Sequence, residues 1–325
     1  MKSFDLISIG DTTHDVFLEV EEDIKIMKDQ KGDEYLGMKF AEKIPVKKLT
    51  NVPAVGNAAN VAVGASRLGL KTALYTNLGD DQSGREMRDI LVNQENIAPN
   101  YIIMDRERAS NYSTVINYGA ERIILVYHEE RNYSLPELAP SSWAYFSSVA
   151  KGHDKLHTQI PDYITKHKVK LGFNPGSFQL REGVHILRPI IEVCEVMFVN
   201  KEEAQGLVGV EEDIKILLKK LHDAGPRVAV ITDGPGGSYS FDGTTYRFLE
   251  IFPSPLVERT GAGDAYSTGF LSALALDLGV ADAMRWGTFS SAFVVGEIGA
   301  QRGLLTREKM EQVSKENSAF QPREI

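Results

Sequence analysis

Glu258-Arg259-Thr260-Gly261-Ala262-Gly263-Asp264-Ala265-Tyr266-Ser267-Thr268-Gly269-Phe270 crowds small residues ahead of one carboxylate and then becomes a helical pattern. Phe270, Leu271, Leu274, Ala275 and Leu278 recur with helical spacing, so one face is apolar. Gly279 is expected to stop that helix. Gly261-Ala262-Gly263 then sits at a helix N-terminus, where backbone N–H groups lack intrahelical partners and the dipole favours an anion. Glycine lets a large anion approach the backbone closely. A carboxylate in the same turn, Asp264, can take a proton from a nucleophile while the amides stabilise charge on a phosphoryl group. The plainer reading makes Gly-Ala-Gly a loop and Asp264 a helix cap.

Other stretches converge on the same chemistry. Residues 6–9 read as a buried strand ended by Gly10, with Asp11 and Asp15 just beyond it. Ligands of open α/β sheets bind outside such strand ends. A carboxylate there can accept bonds from two adjacent hydroxyls, although Asp11 and Asp15 also suit an ordinary turn. Gly56-Asn57-Ala58-Ala59-Asn60 opens a small-residue helix expected to end at Gly69. From Trp143 onward strands and helices alternate, which predicts a parallel sheet. Residues 170–173 end in Asn174-Pro175-Gly176-Ser177, residues 196–199 in Asn200-Lys201-Glu202-Glu203, and residues 228–231 in Thr232-Asp233-Gly234. In a parallel sheet these three polar ends share one edge, which makes a site. Asn200 and Glu203 also read as a capping pair. Both roles fit together, because a solvated Mg2+ accepts oxygen ligands through water.

The stretch ending in Asp264 resembles the C-terminal signature of the PfkB (ribokinase-like) carbohydrate kinases, Asp-Thr-x-Gly-Ala-Gly-Asp-x-Phe. Residues 53–69 resemble the N-terminal one, Gly-Gly-x-Gly-Ala-Asn, with Val55 and Ala58 replacing two glycines. Gly79-Asp80-Asp81-Gln82-Ser83-Gly84 is similar to the loop that follows in that family. The resemblance implies a ribokinase-like three-layer α/β fold with a mostly parallel central sheet. It places a large domain at 1–15, 51–98 and 129–325, and a small β lid at 16–50 and 99–128. It implies that Asp264 is the catalytic base and that Gly261, Ala262 and Gly263 form the anion hole. Asp15, Gly56, Asn57 and Asn60 would hold the substrate. Asn200 and Glu203 would place Mg2+ through water, Thr232, Gly234 and Gly237 would contact the phosphates of ATP, and Thr288 and Ala292 the adenine. In relatives the leading Asp can help ligate a monovalent cation such as K+. Glu258 and Arg259 fill the first two positions here, so K+ use is left open.

The lid is expected to include a charged, hairpin-like insertion at 19–34, exposed strands at 38–49, and three strands at 101–104, 113–117 and 122–127, with a turn at Tyr118-Gly119-Ala120. Tyr112 and Asn117 suit substrate contact or an exposed strand equally. An exposed lid sheet offers an edge for a homodimer. A second apolar helix is expected at 283–295, and a polar, frayed tail at 309–325.

Composition narrows the field. With 325 residues the chain is long enough for a large domain and an appendage. A net charge of −9 argues against nucleic acid as a partner. The one cysteine, Cys194, reads as a small core residue. Seven histidines lack zinc-site spacing; His153 and His157 are four apart without an evident third ligand, so no metal is expected there. No signal-peptide run or stretch of ~20 apolar residues occurs, so the expectation is a cytoplasmic protein that uses no membrane.

The expected reaction is transfer from ATP to a hydroxymethyl group of ribose, fructose or a keto-deoxy sugar acid. A nucleoside such as adenosine comes second. A sugar phosphate comes third, with Arg106, Arg108 and Arg122 as the lid's arginine clamps. Outside the kinases, a catalytically silent binding regulator would need a broken anion hole. A dehydrogenase would need Gly-x-Gly-x-x-Gly where Gly10-Asp11-Thr12-Thr13-His14-Asp15 stands.

Overall fold

The protein is described by a computed structural model that covers residues 3–21, 23–119 and 121–325. Met1, Lys2, Glu22 and Ala120 fall in the start of the large domain, the charged insertion and the lid turn, and lie outside those residues. The strands run β1 (Phe4–Ile9), β2 (Thr13–Glu19), β3 (Ile24–Lys28), β4 (Glu34–Met38), β5 (Lys48–Val55), β6 (Thr72–Gly79), β7 (Ile102–Asp105) and β8 (Asn111–Tyr118). They continue with β9 (Glu121–Tyr127), β10 (Ser141–Phe146), β11 (Lys170–Phe173), β12 (Cys194–Asn200), β13 (Val228–Thr232), β14 (Ser238–Phe241), β15 (Tyr246–Leu249) and β16 (Arg323–Glu324). Helices α1 (Asn57–Arg67), α2 (Gln82–Asp89), α3 (Leu156–His167), α4 (Ser177–Glu182) and α5 (Val184–Ile191) precede α6 (Lys201–Val208), α7 (Ile214–Asp223), α8 (Ala262–Ala275), α9 (Val280–Val294) and α10 (Arg307–Glu316).

Ten strands form one sheet in the order β16-β15-β14-β13-β12-β11-β10-β1-β6-β7. The seven from β13 to β7 are parallel, and β14 to β16 add an antiparallel edge. Side chains alternate faces along a strand, and both faces of the parallel part are covered, so its strands are mostly apolar. On β12, Val196 and Phe198 join one core with Tyr266, Phe270 and Phe289, while Met197 and Val199 join the other with Ile160, Leu187 and Leu218. Helices α8 and α9 approach closely because Gly269 and Gly287 lack side chains: a Cβ at Gly269 would lie 2.2 Å from the Trp286 carbonyl oxygen. Cys194 is buried in this core.

A second sheet, β5-β2-β8-β9, stands apart from the first, and β3 and β4 form a separate hairpin. These strands make the small sheet expected as a lid. Three local expectations need correction. The strand expected at 101–104 as lid is β7, which pairs parallel with β6 in the large sheet; Ile102 is buried there. Short apolar strands carry no mark of which sheet they will join. Residues 38–49 are not all strand, since β4 ends at Met38 and β5 starts at Lys48. The tail does not fray. Met310 and Val313 bury one face of α10, Phe320 packs on Phe252 and Phe289, and β16 pairs with β15. Two helix ends also shift. The signature helix stops at Ala275, beyond which Asp277 adopts φ 60, and Gly279 caps the start of α9 instead. Among the described residues no helix is long and apolar enough to cross a membrane.

Candidate active site

The parallel pairing of β11, β12 and β13 brings their polar ends to one edge of the sheet. There a cleft of about 290 Å³ is lined by Asn57, Asn174, Asn200, Glu203, Thr232 and the stretch from Arg259 to Asp264, together with Arg122. The residues singled out at the signature and at the three strand ends therefore face one space. Asp15, Gly56, Asn60, Gly234 and Gly237 are not part of its lining.

Gly261 caps α8 in the left-handed conformation, at φ 80. A Cβ on it would also lie 2.3 Å from that of Ala300, so both backbone and packing demand glycine. Gly263 differs, because a Cβ there would meet nothing within 4 Å. The Ala262 amide donates to the Arg259 carbonyl at 3.3 Å. The Gly263 and Asp264 amides have no partner four residues back and face the helix end, whereas the Ala265 amide donates to the Gly261 carbonyl at 2.8 Å.

Asp264 is buried, 8% exposed, and accepts a 2.7 Å hydrogen bond from Asn60 Nδ2. Gln301 Nε2 donates to Asn60 Oδ1 at 3.0 Å and to the Ala54 carbonyl at 2.8 Å, which fixes the Asn60 amide. Burial pushes the Asp264 carboxyl up to about 6; the Asn60 bond acts downward and the Glu203 charge upward. That brings a carboxylate closer to the range of a general base at neutral pH.

Asn200 and Glu203 form a reciprocal cap on α6. Asn200 Oδ1 accepts from the Glu203 amide at 2.8 Å, and Glu203 Oε2 accepts from the Asn200 amide at 2.9 Å. Each oxygen keeps a further lone pair, and Glu203 has a second oxygen, so the cap leaves acceptors for the waters of a cation. Burial raises the Glu203 carboxyl.

Asp15 lies within β2, at the bulge against β5, rather than in a turn. Burial pushes it up to about 6, and its Oδ1 is buried without a hydrogen-bond partner. Asp11 is used differently: Tyr133 donates its hydroxyl proton to this carboxylate at 2.8 Å, and the Ala150 amide donates at 2.9 Å. Gly56, at φ 113, precedes α1 and abuts the Asp11 carbonyl. Gly234 and Gly237 flank the turn after β13, where the Asp233 amide donates to the Gly237 carbonyl. Thr288 and Ala292 are buried on α9 and do not line the cleft.

Of the three lid arginines considered, only Arg122 reaches the cleft; Arg106 is exposed beside Asp80. Arg122 Nε lies 3.8 Å from Glu258 Oε1. Glu258 also accepts from the Thr260 and Gly299 amides, at 2.7 and 3.4 Å, and so braces the turn ahead of Gly261. Gln301 carries no sequence signal. Asn174 carries one, as a polar strand end before Pro175.

Residues 8–307 match the pfkB family of carbohydrate kinases. The chain is 25% identical over 309 residues to a nucleoside kinase of Methanothermobacter thermautotrophicus, covering 92% of each protein. It is 26% identical over 281 residues to a 5-dehydro-2-deoxygluconokinase of Geobacillus kaustophilus, covering 79% of this chain and 83% of that one. Its fold superposes on Arabidopsis thaliana ribokinase complexed with ribose and ATP with a TM-score of 0.78, at 18% identity, over 95% of this chain and 98% of that one.

Proposed function

Because the chain belongs to the pfkB family of carbohydrate kinases, we propose that it transfers the γ-phosphoryl group of ATP to a hydroxymethyl group of a free sugar of the ribose, fructose or keto-deoxy sugar acid class. It is a phosphotransferase with an alcohol acceptor. The observation that carries the finer reading is a buried carboxylate, Asp264, held by Asn60 at the mouth of a helix N-terminus in a polar cleft.

In this reading Asp15 and Asn57 hold sugar hydroxyls, and the unpartnered Asp15 oxygen supports that role. Asp264 removes the acceptor proton as the new O–P bond forms and the bond from the γ-phosphorus to the bridging oxygen breaks, releasing ADP, and the amides around Gly263 stabilise charge on the transferred group. Thr232, Gly234 and Gly237 hold nucleotide phosphates. Asn200 and Glu203 would hold Mg2+ through water, and that ion, when bound, neutralises phosphate charge. Closure of the small sheet would exclude water as a competing acceptor. K+ use is left open in this reading, with Glu258 at the position of the family's leading Asp and the Arg122 guanidinium 3.8 Å from it. The reaction suits a cytoplasmic setting, where ATP is supplied.

A nucleoside acceptor is the second reading, favoured by the length over which the nucleoside kinase matches. A coupled ADP-release assay across sugars and nucleosides decides between them. If no sugar or nucleoside raised ADP release above the buffer rate, a sugar phosphate acceptor or a silent binding protein would be left.

The small sheet also supports self-association. Among the described residues its last strand, β9, is bonded on one side only, to β8, and exposes Leu125 (55%) and Val126 (58%). An apolar open edge of this kind is normally covered. A second copy of the same sheet is the occupant proposed here.

A further inference from the structure

Away from the cleft, His153, His157 and Glu182 converge. His157 lies in the first turn of α3 with His153 just ahead of that helix, and Glu182 is the last residue of α4. One ligand atom from each residue falls within 4.8 Å of the other two. Sequence spacing gave the two histidines no third ligand, and folding supplies it from 25 residues beyond His157, across the ends of two helices.

The hydrogen bonding of this cluster does not close by itself. His153 Nδ1 lies 2.6 Å from the Ala150 carbonyl, which only accepts, so Nδ1 carries the proton. In the neutral ring Nε2 is then a bare lone pair, and it faces the Glu182 carboxylate at 3.2–3.3 Å. His157 is 8% exposed, and its Nε2 is buried without a hydrogen-bond partner, 3.7 Å from Glu182 Oε2. Two acceptors, His153 Nε2 and the Glu182 carboxylate, thus face each other without a donor, and His157 Nε2 beside them has no hydrogen-bond partner. A proton on His153 Nε2 would satisfy one contact and leave His157 orphaned. Protonating both rings would set two cations against each other; the imidazoles are 5.0 Å apart between centroids. Asp154 adds negative charge beside His157. One divalent ion would satisfy all three groups together.

We propose that His153, His157 and Glu182 form a site for a divalent ion of the Zn2+ class, joining the start of α3 to the end of α4. Ligands about 2.0–2.1 Å from a tetrahedral metal sit roughly 3.3–3.4 Å from one another. Glu182 Oε2 lies 3.3 Å from His153 Nε2 and 3.7 Å from His157 Nε2, already near that spacing. Two imidazoles select Zn2+, Co2+ or Ni2+ over Mg2+, which takes oxygen. The Ala150 carbonyl fixes the His153 ring in the ligating tautomer. The same residue's amide holds the Asp11 carboxylate, so the ion would also anchor the loop behind the end of β1.

The test uses the full-length chain, stripped with a chelator and titrated with Co2+ in excess Mg2+, followed by visible absorption and equilibrium dialysis. One Co2+ per chain with intense d–d bands is expected. Binding should weaken at least ~10–100-fold in His157→Ala and in the near-isosteric Glu182→Gln, and be unchanged in His185→Ala, an exposed control. Zn2+ should raise the melting temperature of the parent but not of Glu182→Gln. No saturable Co2+ binding, or binding indifferent to Glu182→Gln, overturns the site. Neither result bears on the kinase reading, which is assayed separately with Mg2+ and ATP.

Discussion

Asn60 on α1 donates a 2.7 Å hydrogen bond to the carboxylate of Asp264 on α8, across 204 residues of sequence. The bond acts against the burial that raises Asp264. Removing it with Asn60→Ala should push the Asp264 carboxyl higher still. The acid limb of the kcat/KM profile should then move to higher pH than in the parent, and Gln301 loses a partner. A limb that stays in place would show that Asn60 does not tune the base.

Asp264→Asn removes the proton acceptor and keeps the size of the group. Turnover should fall by ~10²–10⁴-fold, the usual contribution of a general base, with ATP affinity largely kept. Steady-state kinetics and calorimetric ATP titration read the two separately. Near-parental turnover would take Asp264 out of the mechanism.

In the parent, the carboxyl at about 6 must be ionised to work. Activity should therefore decline as pH falls through about 6, and an inflection near the ordinary carboxylate value of 3.8 would contradict its assignment.

Stability should run the other way. Between 3.8 and about 6 the folded chain keeps a proton on Asp264 that the unfolded chain has released. Stability from this group is thus present at low pH and is lost as pH rises through that window. At about pH 7.5 Asp264→Asn should be more stable than the parent by ~1–3 kcal/mol, an advantage that fades near pH 4. Thermal melts at both pH values check it.

The two glycines of the turn should respond differently to alanine. Gly261→Ala meets both a left-handed backbone and Ala300, and should destabilise the fold by about 1–3 kcal/mol. Gly263→Ala projects its methyl into open space. It should melt like the parent yet bind ATP and turn over more weakly. Equal effects on stability would refute the distinction.

Leu125→Asp on β9 should convert a dimer to a monomer in light scattering without lowering the melting temperature of the large domain. A parent that is monomeric at high micromolar concentration would end that proposal.

The chain's local chemistry was open to reading without coordinates. Helix starts at Gly261 and Asn200, the Asn200–Glu203 reciprocal cap and the apolar strands before Asn174, Asn200 and Thr232 depend on neighbours within a few residues, so spacing reveals them. The resemblance extended that reading to a family. What folding alone decided was long-range partnership. β7 joined the large sheet and not the lid, Gln301 came to brace Asn60, Arg122 reached across to Glu258, and Glu182 met two histidines. A short apolar strand or a lone polar side chain is compatible with many neighbours. Only packing the entire core selects which one it meets, because that choice is made by burial and register summed over the whole sheet.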